Sequence, residues 1–347
     1  DLHSFPTRRS SDLEISWKAG NLFLILCGSL VSFMKEEVLA ESAPLHGRSN
    51  LELKLRPFNY LETADFLNGF SYEDKAICYG LTNGVAKYIE QFDPCSSMDE
   101  NIISQFYSIG GYFTEEQVKT VVSSEKQNPA LYSSIISAVA TGHTKNSEIA
   151  SCIGSDDITY PLKMLVSAEL LERRVSSGKP YYVLNDSMLA FWFRYVNRAT
   201  SLINAGNGEA FYQSYVKSHL HDFMGKVFEK MAKEYLLMHA GQDGFPIVTD
   251  ISEYQNTVMD ENRKQKQIEI DLLGTNGKDI LLAGECKFRN APFGKTDFDH
   301  LQDKIKYIPA RSPLVCIFSL GGFTDDVKDL SGDYRLISLD EMYFLKR

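Results

Sequence analysis

The stretch "DLLGTNGKDILLAGECKFRN", residues 271–290, decides the fold of the C-terminal part of the chain, because it predicts two adjoining strands around a glycine turn. It also carries charges inside strands that are otherwise apolar. Asp271 lies in the first strand, and Glu285 and Lys287 lie near the end of the second. These charges predict either a metal site or the solvated face of an ordinary hairpin.

Strand periodicity separates the apolar residues from the charged ones, since successive side chains point to opposite faces of a sheet. In the first strand, Glu269 and Asp271 are expected on the face opposite the apolar residues, and in the second strand Glu285 and Lys287 share a face with Leu281 and Ala283. The remaining apolar residues are Ile268, Ile270 and Leu272 in the first strand, and Leu282, Cys286 and Phe288 in the second.

The length of the turn determines whether the two acids meet. A strict two-residue loop at Asn276 and Gly277 would pair Asp271 with Leu282 and place the acids on opposite faces of the sheet. A three-residue loop centred on Gly277, or a bulge, would pair Asp271 with Ala283 and leave the second acid as a diagonal neighbour, about 7–8 Å away. We expect this second register, because only it brings the apolar faces together and burial determines register strongly.

Two carboxylates in this arrangement predict a site for Mg2+, which prefers carboxylate and carbonyl oxygens as ligands. Asp271, Glu285 and the backbone carbonyl of Cys286 are the expected metal ligands. Lys287 would orient or deprotonate a water, or stabilise charge on a phosphate. Glu229, in the upstream helix "GKVFEKMAKEY", flanks the apolar face of that helix and is the fourth candidate catalytic residue.

A basic loop, "FRNAPFGKTDF", follows the second strand. Together with Lys287 it presents Arg289 and Lys295. Two interpretations stay open: an edge that contacts phosphates, or a basic loop that offsets the neighbouring acids.

Composition places the chain among soluble proteins of several domains. It has 347 residues, of which 44% are hydrophobic and 24% charged, and a net charge of -10. The negative charge argues against wrapping of nucleic acid by the whole surface, but it allows a local basic groove. Six cysteines without CxxC spacing predict reduced thiols in a cytoplasmic protein. The longest apolar run is too short to span a membrane, so we expect no membrane partner.

The C-terminal and central parts predict two different layouts. Residues 205–347 read as helix, three strands, helix, strand, which is an αβββαβ order. Residues 126–200 read as three helices and a hairpin, the layout of a winged helix-turn-helix. The third helix is expected to carry Leu162, Leu165, Val166, Leu170 and Leu171 on its apolar face. Its exposed face is poor in cations, so a DNA-binding and a purely structural winged helix both stay open. The residues of that face are Asp156, Asp157, Thr159, Tyr160 and Lys163.

The N-terminal part of the chain predicts only part of a domain. Residues 5–13, "FPTRRSSDL", correspond to the translation of a common sequencing-adapter oligonucleotide. We therefore expect residues 1–13 to be an artefact and the natural protein to begin upstream. Residues 21–27 predict a buried strand, residues 51–57, "LELKLRP", predict an alternating strand, and residues 60–93 predict a set of helices.

These features carry a resemblance to two known groups of proteins. Asp271, followed by Glu285-x-Lys287 and preceded by a helical Glu229, resembles the PD-(D/E)xK nuclease superfamily, whose core has the αβββαβ order. The stretches "LHGRSNLELKLRPFNYLETADF", "YGLTNGVAKYI", "YYVLNDSMLAFWFRYV" and "EIDLLG…GECKF" together resemble the C-terminal two-thirds of archaeal-type AAA+ ATPases. Those proteins end in a winged helix and a nuclease-like domain of unassigned function.

The resemblance implies an α/β and α+β multidomain protein. Residues 14–59 would be the remnant of an AAA+ ATPase core, 60–125 a helical lid, 126–200 the winged helix and 205–347 the nuclease-like domain. Walker A and Walker B motifs would lie upstream, so ATP would bind the intact protein but is not expected to bind this chain well. Ser29 matches a polar sensor of the family, and Arg48 matches an arginine that acts on the nucleotide of a neighbouring subunit in a homo-oligomer.

The expected function follows from this resemblance. The chain would be the C-terminal fragment of an ATP-binding AAA+ ATPase that carries a Mg2+-dependent nuclease-like domain for DNA phosphodiester hydrolysis or DNA-end handling. The alternative is an ATPase-linked DNA- or protein-binding regulatory module, in which the nuclease-like domain is an inactive scaffold.

Overall fold

The computed structural model describes residues 25, 27–28, 41, 46–47, 50–114, 128–155, 157–176, 178–259, 263–310 and 312–344. Four sequence predictions fall wholly or mostly outside these residues. They are the sensor Ser29, the arginine Arg48, Asp156 of the expected exposed helix face, and the strand expected at residues 21–27.

Short helices form the first described part of the chain. Helix α2 begins at the N-cap Ser71, whose side chain accepts a hydrogen bond from the backbone N–H of Asp74, and it ends at Asn83 in a left-handed conformation. The helices are α1 (Tyr60–Ala64), α2 (Tyr72–Thr82), α3 (Ala86–Ile89) and α4 (Met98–Ile102), which continues as a π-helical turn (Ile103–Tyr107).

Three further helices and a hairpin follow. They are α5 (Pro129–Ala140), α6 (Asn146–Ile153), α7 (Thr159–Ser167), β1 (Leu171–Ser176) and β2 (Lys179–Leu184). Strands β1 and β2 are antiparallel, with Gly178 at φ +76° in their turn. The expected helix ends near Gly142 and Gly154 are confirmed. The expected extension of α7 to Leu171 is wrong, because Glu169 adopts a left-handed φ of +61° and Leu171 pairs with Leu184 instead.

A second run of helices leads into the sheet. It comprises α8 (Ser187–Phe191) with a π-helical turn (Trp192–Val196) and a 3-10 turn (Asn197–Ala199), α9 (Thr200–Asn204), α10 (Gly208–Phe211) with a π-helical turn (Tyr212–Val216), and α11 (Lys217–Met238). The aromatic residues of "AFWFRYV" are buried, as expected of core residues. Trp192, for example, is 2% exposed and donates to the carbonyl of Phe113 at 2.7 Å.

A five-stranded mixed sheet organises the C-terminal part. Its strand order is β3-β4-β5-β6-β7, in which β3, β4 and β5 are antiparallel neighbours while β5, β6 and β7 run parallel. The elements are β3 (Asp250–Met259), β4 (Gln265–Asn276), β5 (Asp279–Lys287), α12 (Lys295–Ile305), β6 (Leu314–Ser319), α13 (Asp325–Lys328), β7 (Tyr334–Ser338) and α14 (Leu339–Tyr343). The central strand β5 is therefore paired on both sides.

Two apolar cores cover the faces of this sheet. On one face, Leu272, Leu282 and Cys286 belong to the core that contains Phe228 of α11. On the other face, Ala283 and Ile270 belong to the core that contains Phe298 and Leu301 of α12. Burial on both faces explains the nearly continuous apolar run in β5.

The strand expected at residues 51–57 is wrong. These residues form no strand, and Leu51, Leu53 and Leu55 are 74–82% exposed. An alternating sequence becomes a strand only when a neighbouring strand accepts its backbone hydrogen bonds. Among the described residues, no strand lies beside this segment.

The general fold class is confirmed as mixed α/β, with helices and one five-stranded mixed sheet. As for membranes, none of the described helices combines the length and the apolar character that a crossing would need.

Candidate functional site

The β4–β5 hairpin departs from both registers considered for it. Asn276 pairs with Asp279, so the loop consists of the two residues Gly277 and Lys278. A shift between Gly274 and Thr275 then adds one residue to β5, and Leu272 pairs with Gly284. The predicted pairing of Asp271 with Ala283 is therefore wrong by two residues, because a short loop and a bulge occur together. The predicted bulge does preserve the face shared by Leu272 and Leu282.

A second irregularity lies at Asp271 itself. Between β3 and β4, Ser252 pairs with Leu273 whereas Tyr254 pairs with Ile270, so Glu253 faces both Asp271 and Leu272. This bulge reverses the alternation of β4, so that Ile270 and Leu272 pack into different cores. The expectation that Ile268, Ile270 and Leu272 share a face is accordingly wrong for Leu272.

Asp271 lies where the pairing of β4 with β5 ends. Its Oδ2 accepts a hydrogen bond of 2.8 Å from the backbone N–H of Cys286, so the side chain takes the place of a main-chain partner. Burial raises the pKa of Asp271, and the negative charge of Glu285 raises it further, against the opposing effect of the Cys286 N–H. The two carboxylates are thus close enough to interact strongly.

Glu285 is the most enclosed acid of the site, with a side chain that is 6% exposed. Its Oε1 accepts from Lys287 Nζ at 2.6 Å. Lys304, in α12, donates to both carboxylate oxygens, at 3.0 Å to Oε1 and 2.8 Å to Oε2. Two ammonium groups therefore neutralise this carboxylate.

Glu229 reaches the site from α11, on the other side of the sheet. Its side chain is 18% exposed and accepts from Lys226 Nζ at 3.0 Å. Burial raises the pKa of Glu229 to about 8, and the charges of Asp271 and Glu253 add to that rise while Lys226 opposes it. Glu229 is thus mostly protonated at neutral pH.

Lys287 is charged at neutral pH. Burial lowers the pKa of its ammonium group, but the negative charges of Glu285 and Asp271 outweigh that effect and the pKa is raised. A lysine in this state donates hydrogen bonds and is a poor base. Of the two roles considered for Lys287, stabilising negative charge fits this electrostatic setting better than deprotonating a water.

Two residues of the site escaped the sequence reasoning. Lys304 lies three residues after Leu301, so helical spacing places it on the face of α12 that packs on the sheet, and this spacing could have indicated it. Glu253, with a side chain that is 8% exposed, receives Lys226 at 3.5 Å and Arg174 of β1 at 3.8 Å. Its only sequence signal is that it is an acidic residue within a predicted strand. Its position beside Asp271 follows only from the pairing of β3 with β4.

The basic loop after β5 is largely paired with acids. Arg289 binds the Oδ2 of Asp297 at 2.5 Å, and Lys295 binds the Oδ1 of Asp299 at 2.7 Å. These pairs favour the interpretation in which the loop offsets neighbouring acids.

The donor set limits the kind of metal that could bind. Among the described residues, no three His, Cys, Asp or Glu side chains are grouped so as to hold a metal ion. The expected ligands are two carboxylates and one carbonyl, and this all-oxygen set suits a hard cation that keeps several waters, such as Mg2+. Burial raises the pKa of the Cys286 thiol well above its usual range, so its sulfur is a poor ligand there.

Comparison with known proteins covers the region of this site. Residues 192–300 match the family DUF234, described as archaeal and bacterial proteins of unknown function. The chain is 31% identical over 234 residues to the uncharacterized protein MJECL04 of Methanocaldococcus jannaschii, across 65% of this chain. The match covers 52% of that protein, so the chain spans about half the length of this curated relative.

Among solved structures, the chain is similar to protein VC1899 from Vibrio cholerae. The match covers 87% of this chain and 63% of that chain, at 13% identity and a TM-score of 0.27. A likeness of this size carries no argument about fold or function.

Proposed function

We propose that the C-terminal sheet is a PD-(D/E)xK nuclease-like domain that hydrolyses DNA phosphodiester bonds with Mg2+. The observation that carries the proposal is the meeting of Asp271 with Glu285 and Lys287 at the place where β4 and β5 separate. Burial and mutual repulsion raise the pKa of Asp271, and this kind of perturbation is common at functional sites.

The residues present fit a magnesium ion. Asp271, Glu285 and the carbonyl of Cys286 would hold it. Oδ2 of Asp271 accepts from the backbone N–H of Cys286, and both oxygens of Glu285 accept from lysines, so the ion would have to displace a lysine from Glu285. When bound, the ion would polarise a phosphoryl oxygen and lower the pKa of a bound water.

The other groups prepare this site for a negatively charged substrate. Lys287, which is protonated, donates hydrogen bonds to the developing charge on the phosphate. Glu229 holds a proton on its carboxyl group at neutral pH, which lessens its repulsion with Asp271 and Glu253. The catalytic assignment therefore gives charge stabilisation to Lys287 and charge balance to Glu229.

The finer architecture belongs to the same proposal. Helices α5, α6 and α7 with the β1–β2 hairpin would form a winged helix, and the segment before α1 would be the end of an AAA+ core. ATP, a homo-oligomer through the ATPase region and DNA are the cofactor and partners that this architecture implies for the intact protein. The order of elements supports the winged helix, because three helices are followed directly by an antiparallel hairpin.

The test is a cleavage assay of the full-length protein on linear and supercoiled DNA with Mg2+. We expect Lys287→Ala to lower the rate on the order of 100-fold or more, as removal of a group that stabilises transition-state charge does. Lys278→Ala is the matched control, since Lys278 is exposed in the loop of the same hairpin. Equal rates for Lys287→Ala and wild type would remove Lys287 from the mechanism.

One observation favours the alternative function, a DNA- or protein-binding regulatory module with an inactive scaffold. Both oxygens of Glu285 are bound by lysines, so this carboxylate is already paired by the protein's own cations. In that case the purified protein would bind its partner, and Asp271→Asn would change neither binding nor DNA integrity.

A further inference from the structure

We propose that Lys304 is an internal counter-ion of the site, which occupies the cation position at Glu285 and leaves it when a divalent ion binds. This inference rests on the proposed function. It adds a positioning residue to the site and a regulation of metal affinity by the protein's own ammonium group.

The geometry separates the two lysines at Glu285. Lys287 contacts only Oε1, from the same strand, at 2.6 Å. Lys304 contacts Oε1 and Oε2 together, at 3.0 Å and 2.8 Å. A cation that contacts both oxygens of one carboxylate occupies the position at which a bidentate metal ion would bind. Lys304 therefore competes directly with a metal, whereas Lys287 leaves Oε2 accessible.

Burial explains why such a counter-ion is needed. An ionised carboxylate that is 6% exposed is unfavourable without a partner, and a neighbouring acid makes it worse. Asp271 is that neighbour, since Leu272 pairs with Gly284 and the Oδ2 of Asp271 accepts from the N–H of Cys286, the residue that follows Glu285. Lys304 thus allows the sheet to fold around Glu285 before any metal arrives.

The position of Lys304 also allows it to leave. It belongs to α12 and not to the sheet, and its side chain is 27% exposed. A four-carbon stem can swing toward solvent by rotamer changes alone, without movement of β5. Departure therefore costs the ion pair but no backbone rearrangement.

The experiment measures metal affinity and not cleavage. Binding of Mn2+ to the full-length, metal-free protein would be followed by calorimetry at pH 7 for wild type, Lys304→Gln, Lys304→Arg and Lys306→Gln. Lys306 is the matched control, because it follows the same helix, is 69% exposed and pairs only with Asp303 among the described residues.

We expect Lys304→Gln to bind Mn2+ about tenfold more tightly than wild type, since the competing charge-assisted hydrogen bonds are gone. Lys304→Arg, which keeps the charge, and Lys306→Gln should retain the affinity of the wild type. Unchanged or weaker binding by Lys304→Gln would overturn the inference. If Lys304→Gln unfolds, Lys304→Met replaces it as the variant without the charge and is compared with Lys304→Arg, which keeps the charge. The readout is then the rise in melting temperature that Mn2+ produces, which should be larger for Lys304→Met.

The outcomes distinguish this inference from the proposed function. Mn2+ binding that Asp271→Asn abolishes but Lys304→Gln leaves unchanged would refute the counter-ion and keep the metal site. Absence of Mn2+ binding in every variant would refute both.

Discussion

Glu229 makes the folded protein less stable at high pH, and its replacement should reveal by how much. Burial raises the pKa of Glu229 from 4.5 to about 8, next to Asp271 and Glu253 and against the single positive charge of Lys226. Between these two pH values the folded state binds a proton that the unfolded state has lost. Stability from this group is therefore present below about pH 4.5 and is lost as pH rises through 8.

The magnitude follows from the same values. The interval from 4.5 to 8, at about 1.4 kcal/mol per pH unit, corresponds to roughly 5 kcal/mol. Since the side chain is 18% exposed and accepts from Lys226, solvent screening reduces this to about 2 to 4 kcal/mol. Glu229→Gln should thus match the wild type near pH 5 and exceed its free energy of unfolding by that amount near pH 9.

The assay is urea unfolding followed by far-ultraviolet circular dichroism, in EDTA, at each pH unit from 5 to 9. Asp222→Asn is the matched control, because it replaces an exposed carboxyl group on the same helix by an amide. If Glu229→Gln and wild type differ by the same amount at pH 5 and pH 9, the carboxyl group is not held protonated and the reasoning fails.

Two further predictions concern the fold. Gly84→Ala should lower the free energy of unfolding by more than about 2 kcal/mol, since φ is +73° and a Cβ atom would lie 2.0 Å from the carbonyl oxygen of Phe58. The control Gly277→Ala, at φ +61° with no atom within 4 Å of the added Cβ, should lower it by only about 1 kcal/mol. Equal losses of the two variants in urea unfolding would contradict the clash at Gly84. Tyr79→Phe should cost about 1–2 kcal/mol in the same assay, because the half-buried Glu234 loses a hydrogen bond of 2.6 Å. A stability equal to that of the wild type would show that this bond contributes nothing.

The sequence predicts those features that depend on neighbours along the chain. The hairpin around Gly277 and the helix end at Gly154 follow from local turn and capping chemistry, and both occur. The strand expected near Leu53 fails for the opposite reason, because a strand requires a partner that sequence alternation does not supply. Local pattern thus locates this turn and this helix end, but it determines neither the register of the hairpin nor the end of α7 nor the pairing of strands.

The candidate site was only partly predictable for a related reason. Asp271 and Glu285 stand out as acids in apolar strands, but their approach depends on two bulges, one of them opposite Glu253 of β3. A bulge is determined by what the adjoining strand must accommodate, and periodicity within one strand does not contain that information. Lys304 lies 19 residues after Glu285, in the helix α12, so only tertiary packing brings the two together.

The raised pKa values separate this site from the ordinary ion pairs of the same chain. Arg56 lowers the pKa of Glu62 and Lys266 lowers the pKa of Asp303, as expected when one acid meets one base near the surface. Asp271 and Glu229 lie near lysines too, yet their pKa values are raised. Burial and mutual repulsion of the acids therefore exceed what the lysines supply, and a divalent cation would relieve that excess. Burial also raises the pKa values of Asp186 and Glu234 elsewhere in the chain, so the feature that distinguishes this site is the repulsion between neighbouring acids and not the raised values alone.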